Sequence, residues 1–229
     1  MRVIYDFEYE DGDSECFDLR FDPDSLDHLF KQPENPPSWT LLSNNMCPHC
    51  TLDRTKHVHC PLALCISGAV DRFHSRVSHE SVLVRVTTDE RTVFKRTTTQ
   101  KGLSSMLGLL MPCSGCPHTR FFRPMARFHL PFSSEEETIY RSLSMFMLAK
   151  YFMATDGVHI ESPLLELKAI YKNVECMNLW VARRIRSHVK ADSSVNALVL
   201  LDLFAKIVSF LSDRHIETVR SWFSVYLEE

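Results

Sequence analysis

The residues of this sequence most able to do chemistry are cysteines, several of which cluster within Met46–Cys65. This stretch reads MCPHCTLDRTKHVHCPLALC and holds four of the eight cysteines of the chain. It opens with the CxxC pair Cys47 and Cys50, and a second CxxC pair, Cys113 and Cys116, lies far downstream. Zinc takes four tetrahedral sulfur or nitrogen ligands, and a CxxC turn places two thiolates on one metal with little strain. The spacing therefore predicts a zinc site.

The prolines select among the candidate ligands. Cys47, Cys60 and Cys116 each precede a proline, which fixes the backbone just after the cysteine and suits a tight ligand-bearing turn. Together with Cys50, the partner of Cys47 in its CxxC pair, they form the predicted ligand set. Four other side chains could each replace one of these ligands: Cys65, Cys113, His57 and His59.

A thiol-redox enzyme that uses the CxxC pairs is an alternative to the zinc site. CPHC is similar to the active-site motif of the DsbA-type thiol oxidases, whose first cysteine is activated at a helix N-terminus in a thioredoxin fold. That fold requires an apolar strand before the motif and a helix after it. Here SNNM precedes the motif and TLDRTKH follows it, so the sequence context favours a metal site.

A second group of polar residues lies between two apolar regions and comprises Arg127, His129, Glu136, Glu137 and Arg141. His129 with Glu136 or Glu137 could bind a metal or perform acid–base chemistry, which leaves a metalloenzyme as part of the same alternative. The structural interpretation, which we prefer, is that Ser134 and Glu137 form a capping box. The same interpretation predicts an ion pair between Arg141 and Glu137, four residues away on the same helix.

The distribution of charge is uneven although the net charge is only −3. Residues 1–30 are strongly acidic and residues 31–130 are basic, as expected if an acidic hairpin lies against a basic face of the same fold. Nucleic-acid binding is a second alternative, suggested by Arg91, Lys95, Arg96 and Lys101 and by the basic run Arg183–Lys190. Aromatic residues are not interleaved with these bases as in RNA-binding sheets, so this function is disfavoured.

Composition and segment lengths favour a cytoplasmic protein. The N-terminal residues lack the basic start and apolar run of a signal peptide. The most apolar segment, Val195–Leu211, is short for a bilayer span and contains Asp202 and Lys206, so we expect no membrane association. Clustered cysteines in a reducing compartment indicate metal binding or catalysis more often than disulfides. A protein partner or self-association through the apolar segment stays open.

Alternating apolar residues predict a β-hairpin at residues 2–21 and a second hairpin from Ser81–Thr87 and Thr92–Thr98. A short helix is predicted at Pro23–Phe30, and longer ones near residues 61–73, 100–111, 134–154, 163–186 and 193–211, with an amphipathic helix after them. The predicted fold is α+β. Residues 1–130 form a small antiparallel sheet with a helix and the Cys-rich metal site, and residues 131–229 form an all-helical bundle.

The combination CPHC…HCPLA, SGCP and RPMARFHLPFSSEEETIYR resembles an uncharacterised bacterial family of unknown function over most of the chain. The resemblance implies no activity, cofactor or partner. The sequence therefore predicts a zinc-binding cytoplasmic protein with a structural cysteine site, which acts as a regulatory or interaction module. Whether it also catalyses a reaction is left open.

Overall fold

The computed structural model of the protein describes residues 1–188, 192–211 and 213–227. Its architecture is α+β, because an antiparallel sheet built from the N-terminal part of the chain is followed by a largely helical C-terminal part. The predicted fold class is confirmed at this level. Among the described residues, none of the helices combines the length and the apolar character needed to cross a bilayer.

The sheet has the order β2-β1-β3-β4, and all neighbouring strands are antiparallel. The strands are β1 (Arg2–Tyr9), β2 (Ser14–Arg20), β3 (Ser81–Thr87) and β4 (Thr92–Thr98). Both predicted hairpins are therefore confirmed. Gly12 turns the first hairpin at a φ of 91°, a conformation that glycine adopts at no steric cost. Every second residue of β1 is buried, so this central strand presents one face to the core.

The helices are α1 (Pro61–Arg72), α2 (Thr99–Leu110), α3 (Arg123–Arg127), α4 (Glu135–Thr155), α5 (Pro163–Arg186), α6 (Ser193–Ser209), α7 (Asp213–Ser221) and α8 (Ser224–Leu227). Prolines occupy the first helical position of α1 and α5, where the missing N–H costs nothing. The capping box at α4 is confirmed: Ser134 accepts a hydrogen bond from the Glu137 N–H, and the Glu137 side chain accepts one from the Ser134 N–H.

Three parts of the secondary-structure prediction are wrong. Pro23–Phe30 is not a helix but a turn, in which Leu26 has a φ of 61° and Phe21 pairs with His28. No helix is predicted between those near residues 100–111 and 134–154, yet the segment that separates them contains α3 and two short 3-10 helices. The last predicted helix is divided into α7 and α8.

Helix α2 joins the sheet to the later helices. It packs on β3, β4 and α6, while α6 packs on α5, and one hydrophobic core includes buried residues from the sheet and from α1, α2, α4, α5 and α6. The close approach of α2 to the sheet depends on Gly102. A Cβ atom there would lie 2.8 Å from both Phe7 Cε1 and Val84 Cγ2. The domain boundary between residues 130 and 131 stays a prediction.

The acidic first hairpin is paired with bases of the neighbouring elements, as the charge distribution suggested. Arg85 of β3 contacts Glu8 at 2.9 Å, and Arg96 of β4 contacts Glu10 at 3.1 Å. Arg76, just after α1, holds both acids of the hairpin turn, Asp11 and Asp13. Such solvent-exposed pairs contribute little to stability, because water screens their charges. These pairs use part of the basic surface of residues 31–130 within the fold itself.

We expect Gly102→Ala to lower the free energy of unfolding by about 1–3 kcal/mol, because its methyl group would push apart two buried side chains in a close-packed core. Gly68→Ala is the matched control. It lies in α1, where an added Cβ has nothing within 4 Å, so the better helix propensity of alanine should stabilise the protein by about 0.5–1 kcal/mol. Urea unfolding of both variants checks the prediction, and equal effects in the two would contradict it.

Candidate metal centre

The four predicted zinc ligands come from three separate segments. Cys47 and Cys50 form a turn in the long loop before α1, in which the Cys50 N–H donates to the Cys47 carbonyl at 3.0 Å. Cys60 is the N-cap residue of α1, and Cys116 follows the 3-10 helix at Met111–Cys113. Cys47, Cys60 and Cys116 are buried and Cys50 is partly buried, all as free thiols.

The thiol of Cys47 lies within electrostatic range of the other three. The pKa of Cys47 is raised to about 12, mainly by burial and also by the neighbouring thiols of Cys60, Cys116 and Cys50. The pKa of Cys60 is likewise raised by burial and by Cys50, and the pKa of Cys116, raised to about 11, by burial and by Cys60. Each thiol therefore disfavours a negative charge on its neighbours.

The thiols do not form a preassembled metal-binding group. Within the described part of the chain, no three Cys, His, Asp or Glu side chains converge closely enough to hold a metal ion. Thiols with raised pKa values are neutral at pH 7, and each must lose its proton before it can bind a metal. The geometry thus brings the predicted ligands into one neighbourhood and leaves the ligand set a prediction.

Backbone N–H groups point toward two of the sulfurs. At Cys60, the N–H groups of Ala63 and Leu62 lower the thiol pKa against the larger effect of burial, although neither makes a full capping hydrogen bond. At Cys116, the N–H groups of His118 and Thr119 act in the same way. In both segments a proline follows the cysteine, so the next two N–H groups turn toward the sulfur. Such donors stabilise a thiolate.

Arg184 of α5 places a positive charge near this cluster. Its side chain is 1% exposed, and its charge lowers the pKa of both Cys47 and Cys60. The guanidinium donates to the carbonyl oxygens of Trp39, Leu41 and Leu42, at 3.4, 2.5 and 3.2 Å. Its Nε has no hydrogen-bond partner, and no carboxylate among the described residues pairs with it.

Two histidines bind the cysteine segments to each other and to α5. His118 donates from Nε2 to the His49 carbonyl at 2.9 Å, and His49 donates from Nε2 to the Asn173 carbonyl at 3.0 Å. Their ring centroids are 4.1 Å apart. His49 Nδ1 is buried without a partner. Burial lowers the pKa of His118, and the neighbouring His49 lowers it further, so this ring is kept neutral beside the thiols.

Cys65 and Cys113, the two cysteines that could each replace a predicted ligand, form a separate group with His28. The Cys65 sulfur lies 3.4 Å from His28 Nδ1, and the His28 N–H donates to the Cys113 carbonyl. Burial raises the pKa of Cys65, and Cys113 raises it further. The pKa of Cys113 itself is raised to about 12 by burial. The CxxC pair at 113–116 is therefore divided, since Gly115, at a φ of 85°, turns the chain between its two cysteines.

His57 and His59, the two histidines that could each replace a predicted ligand, make other contacts. His59 Nδ1 shares a hydrogen bond of 2.7 Å with the Thr40 hydroxyl, and the adjacent Cys60 N–H donates to the Thr40 carbonyl. His57 is exposed, and its N–H donates to the Asp53 carbonyl. Neither ring is among the groups that shift the pKa values of the clustered thiols.

The second polar group is held by structural hydrogen bonds. His129 Nε2 shares a hydrogen bond of 2.6 Å with the hydroxyl of Tyr5, which is fully buried in β1. The pKa of His129 is lowered to about 3, mainly by burial and also by the charge of Arg141. Arg127 donates to the Pro23 carbonyl, Glu137 completes the capping box, and Glu136 is exposed on α4.

The expected ion pair between Arg141 and Glu137 is wrong. Arg141 instead donates to the carbonyl oxygens of Met125 and Phe128, at 2.8 and 2.9 Å. The carboxylate of Glu137 is already engaged by the Ser134 N–H at the helix N-terminus, so Arg141 turns back to close the loop before α4.

The basic run at the end of α5 does not form one surface. Arg184 is buried, Arg183 lies over the Trp180 ring at 4.6 Å, and His188 Nε2 lies 3.3 Å from Asp71. Arg186 is exposed, and Lys190 lies outside the described residues. The arrangement offers little continuous positive charge to a nucleic-acid backbone.

Sequence reasoning missed three residues that the structure brings to these sites: Arg184, His118 and His28. Arg184 belongs to the basic run that suggested nucleic-acid binding, although it lies one position before Ile185 of the apolar stripe of α5. His118 follows a Cys-Pro pair in the same way as His49 follows Cys47-Pro48. That repeated Cys-Pro-His tripeptide was the available signal. His28 had no local signal, because its contact with Cys65 arises only in the folded chain.

A family model described as a domain of unknown function (DUF6901) matches residues 3–224. The match covers nearly the whole chain, and the chain belongs to this family. The resemblance to an uncharacterised family is thereby confirmed. Comparisons with the curated proteins and with the solved structures gave no match.

We expect Arg184→Met to lower the free energy of unfolding by about 2–4 kcal/mol, because it removes charged hydrogen bonds to three carbonyl groups of the segment before the cysteine loop. Arg183→Met is the control, since Arg183 is exposed over Trp180 and should cost less than about 1 kcal/mol. Guanidinium unfolding followed by circular dichroism measures both. A similar cost for the two variants would show that the buried guanidinium is not structural.

His129 makes stability depend on pH. Its pKa is about 3 in the folded chain and 6.5 ordinarily, so the unfolded chain takes up the proton first as pH falls. The stability contributed by neutral His129 is therefore present above pH 6.5 and is lost progressively between pH 6.5 and 3, at about 1.4 kcal/mol per pH unit. His129→Gln should reduce the pH slope of unfolding by up to that amount.

The control for this pH dependence is His159→Gln. The His159 side chain is 83% exposed, so its loss should leave the slope unchanged. Unfolding free energies are compared with those of the unaltered chain at each pH, so that contributions common to all three proteins cancel. An unchanged slope in His129→Gln would refute the assignment of a buried neutral imidazole.

Proposed function

We propose that this member of the DUF6901 family binds a single zinc ion through Cys47, Cys50, Cys60 and Cys116, and that the metal is structural. The chain would be a regulatory or interaction module of a reducing, cytoplasmic compartment rather than an enzyme. The observation that carries the proposal is the proximity of thiols from three separate segments: Cys50, Cys60 and Cys116 raise the pKa of Cys47, Cys50 raises that of Cys60, and Cys60 raises that of Cys116. They are the four that the CxxC and Cys-Pro patterns select.

The charges around the cluster support a bound anionic complex. A zinc ion with four thiolates carries a net charge of about −2, which favours nearby N–H donors and cations. The N–H groups of Leu62, Ala63, His118 and Thr119 act on two of the sulfurs. Arg184 is buried beside the thiols with carbonyl acceptors only, and a buried cation is costly unless an anion compensates it.

Zinc would supply the attraction that the chain itself lacks. Thiol ligands must lose their protons to bind metal, and metal binding lowers thiol pKa values enough to remove them. Burial keeps the pKa of Cys47 near 12, so the thiols are neutral in the absence of the ion. Neutral thiols have no charge that would bring their sulfurs to ligand spacing. Cys50 is the least buried of the four and gives the ion its route of entry.

The same observations disfavour thiol-redox chemistry. Redox-active cysteines have lowered pKa values and partial exposure, whereas Cys47, the first cysteine of CPHC, is buried with a raised pKa. The cysteines of the downstream pair lie in different clusters. A metalloenzyme site at His129 is disfavoured because the ring is bonded to Tyr5 and Glu137 caps α4.

A structural role follows from the proposed coordination, because four protein ligands leave no open position for a substrate. Helix α4 exposes several large apolar side chains on its surface, among them Leu148, Tyr151 and Phe152. Contiguous exposed apolar surface is typical of interaction sites. This exposed apolar surface supports a role in binding a partner in preference to a role as an enzyme.

Elemental analysis of the full chain, purified under reducing conditions with added zinc, tests the proposal. We expect about one zinc per chain, and we expect a chelator to lower the Tm, because structural metal binding contributes directly to folding. Cys60→Ser and Cys116→Ser should lose the zinc and the chelator effect. Cys176→Ser is the matched control, since Cys176 lies partly buried on α5 away from the cluster.

Cobalt substitution keeps the test independent of folding defects in the serine variants. Four thiolates around Co²⁺ should give tetrahedral absorption bands and sulfur-to-metal charge transfer in the unaltered chain. Zinc-free protein after loading, or metal content unchanged in both Cys60→Ser and Cys116→Ser, would refute the site.

A further inference from the structure

A cavity of about 410 Å³ lies among α2, α5, α6 and the segment from Thr119 to Thr138. Its volume is in the range of small-molecule binding sites. Most of its wall is apolar, with contributions from Met111, Phe122, Phe132, Val174 and Leu201. The cavity is separate from the cluster of Cys47, Cys50, Cys60 and Cys116, none of which lines it.

An unpartnered amide faces this cavity. Asn178 of α5 is 2% exposed and lines the cavity wall. Neither its Oδ1 nor its Nδ2 has a hydrogen-bond partner. Leaving a buried amide unpaired costs about 1–3 kcal/mol, and buried side-chain amides are normally satisfied. An apolar residue would fit the buried stripe of α5 at no such cost, so the amide indicates a hydrogen-bonding ligand.

The charged residues that line the cavity are all cations: Lys95, Lys101 and Arg141. Within the described residues, none of the ion pairs includes any of the three, and no acid lines the cavity. Lys95 and Lys101 are exposed, which places them at the mouth, whereas Arg141 is held by carbonyl groups of the loop before α4. An apolar cavity with cations at its entrance is complementary to an amphipathic anion.

Several of the remaining polar groups of the wall are neutral and already paired. His129 lines the cavity and shares its Nε2 with Tyr5, whose hydroxyl also contacts Ser105 Oγ at 2.9 Å. Ser105 in turn accepts a hydrogen bond from the Phe132 N–H. This network fixes the loop over the cavity and adds no negative charge that would repel an anion.

We propose that this cavity binds a small amphipathic organic anion. The ligand's apolar body lies between α2, α5 and α6, its anionic head group meets Lys95 and Lys101, and a hydrogen-bonding group on the body pairs with Asn178. A medium-chain hydroxy acid has this chemistry. The inference is independent of the zinc proposal, since the residues that carry it are not metal ligands.

Calorimetric titration of the full chain with four probes that share a ten-carbon chain tests the charge requirement. Decanoate should bind, decanol should bind at least about tenfold more weakly, and decyltrimethylammonium should not bind, each probe being kept below its micelle concentration. Lys101→Glu and Lys95→Glu should each weaken decanoate binding about tenfold and leave decanol binding unchanged. Lys172→Glu, an exposed α5 substitution outside the cavity, should bind decanoate normally.

The fourth probe, ω-hydroxydecanoate, tests the role of the amide. It should bind about tenfold more tightly than decanoate to the unaltered chain, and Asn178→Leu should remove that advantage while decanoate still binds. Equal binding of decanoate and decyltrimethylammonium, equal effects of Lys101→Glu and Lys172→Glu, or no binding of any probe would overturn the proposal. Zinc content measured in every variant separates loss of the cavity from loss of the metal.

Discussion

The buried guanidinium of Arg184 is the interaction on which the arrangement of the cysteine segments depends. It binds three carbonyl oxygens of the segment around Trp39–Leu42, and that segment pairs with residues 58–60 next to α1. One side chain of α5 therefore fixes the strand-like backbone that carries Cys60. In the part of the chain that the structure describes, the guanidinium is hydrogen-bonded only to neutral carbonyl oxygens, so no anion there compensates its charge. That charge lowers the pKa of the nearby thiols of Cys47 and Cys60. The fold and the candidate metal centre meet at this residue.

Local sequence patterns predicted the elements well, and long-range packing accounts for what they missed. Alternating residues gave both hairpins, and helical spacing with Pro163 and the Ser134 box gave the long helices. The turn at 23–30 was mistaken for a helix because its apolar Leu26 and Phe30 fit a helical spacing, while the backbone there is set by pairing with Phe21. Tertiary contacts override such weak local preferences.

The candidate sites divide in the same way. The Cys-Pro pattern indicated Cys47, Cys60 and Cys116 because proline acts on the adjacent backbone, which is a local effect. Arg184 and Asn178 could not be identified, since a basic residue at a helix end and an amide beside an apolar stripe are usually solvated. Their burial depends on how α5 packs against α6 and the loop before α1. The cavity is likewise a product of packing between elements and leaves no pattern in any one of them.

The order of strands in the sheet has a consequence for how the chain folds. β1 pairs with β3 from Ile4 to Tyr9, so the central pair of strands closes a loop that contains the whole cysteine-rich stretch and α1. Closing long loops is entropically slow, and contacts distant in sequence form late. Each hairpin can form from contacts close in sequence, but the pairing of β1 with β3 must wait until the residues between them are compact. An ion that gathered Cys47, Cys50 and Cys60 early would shorten the effective loop, so metal supply would set the rate of folding as well as the stability of its product.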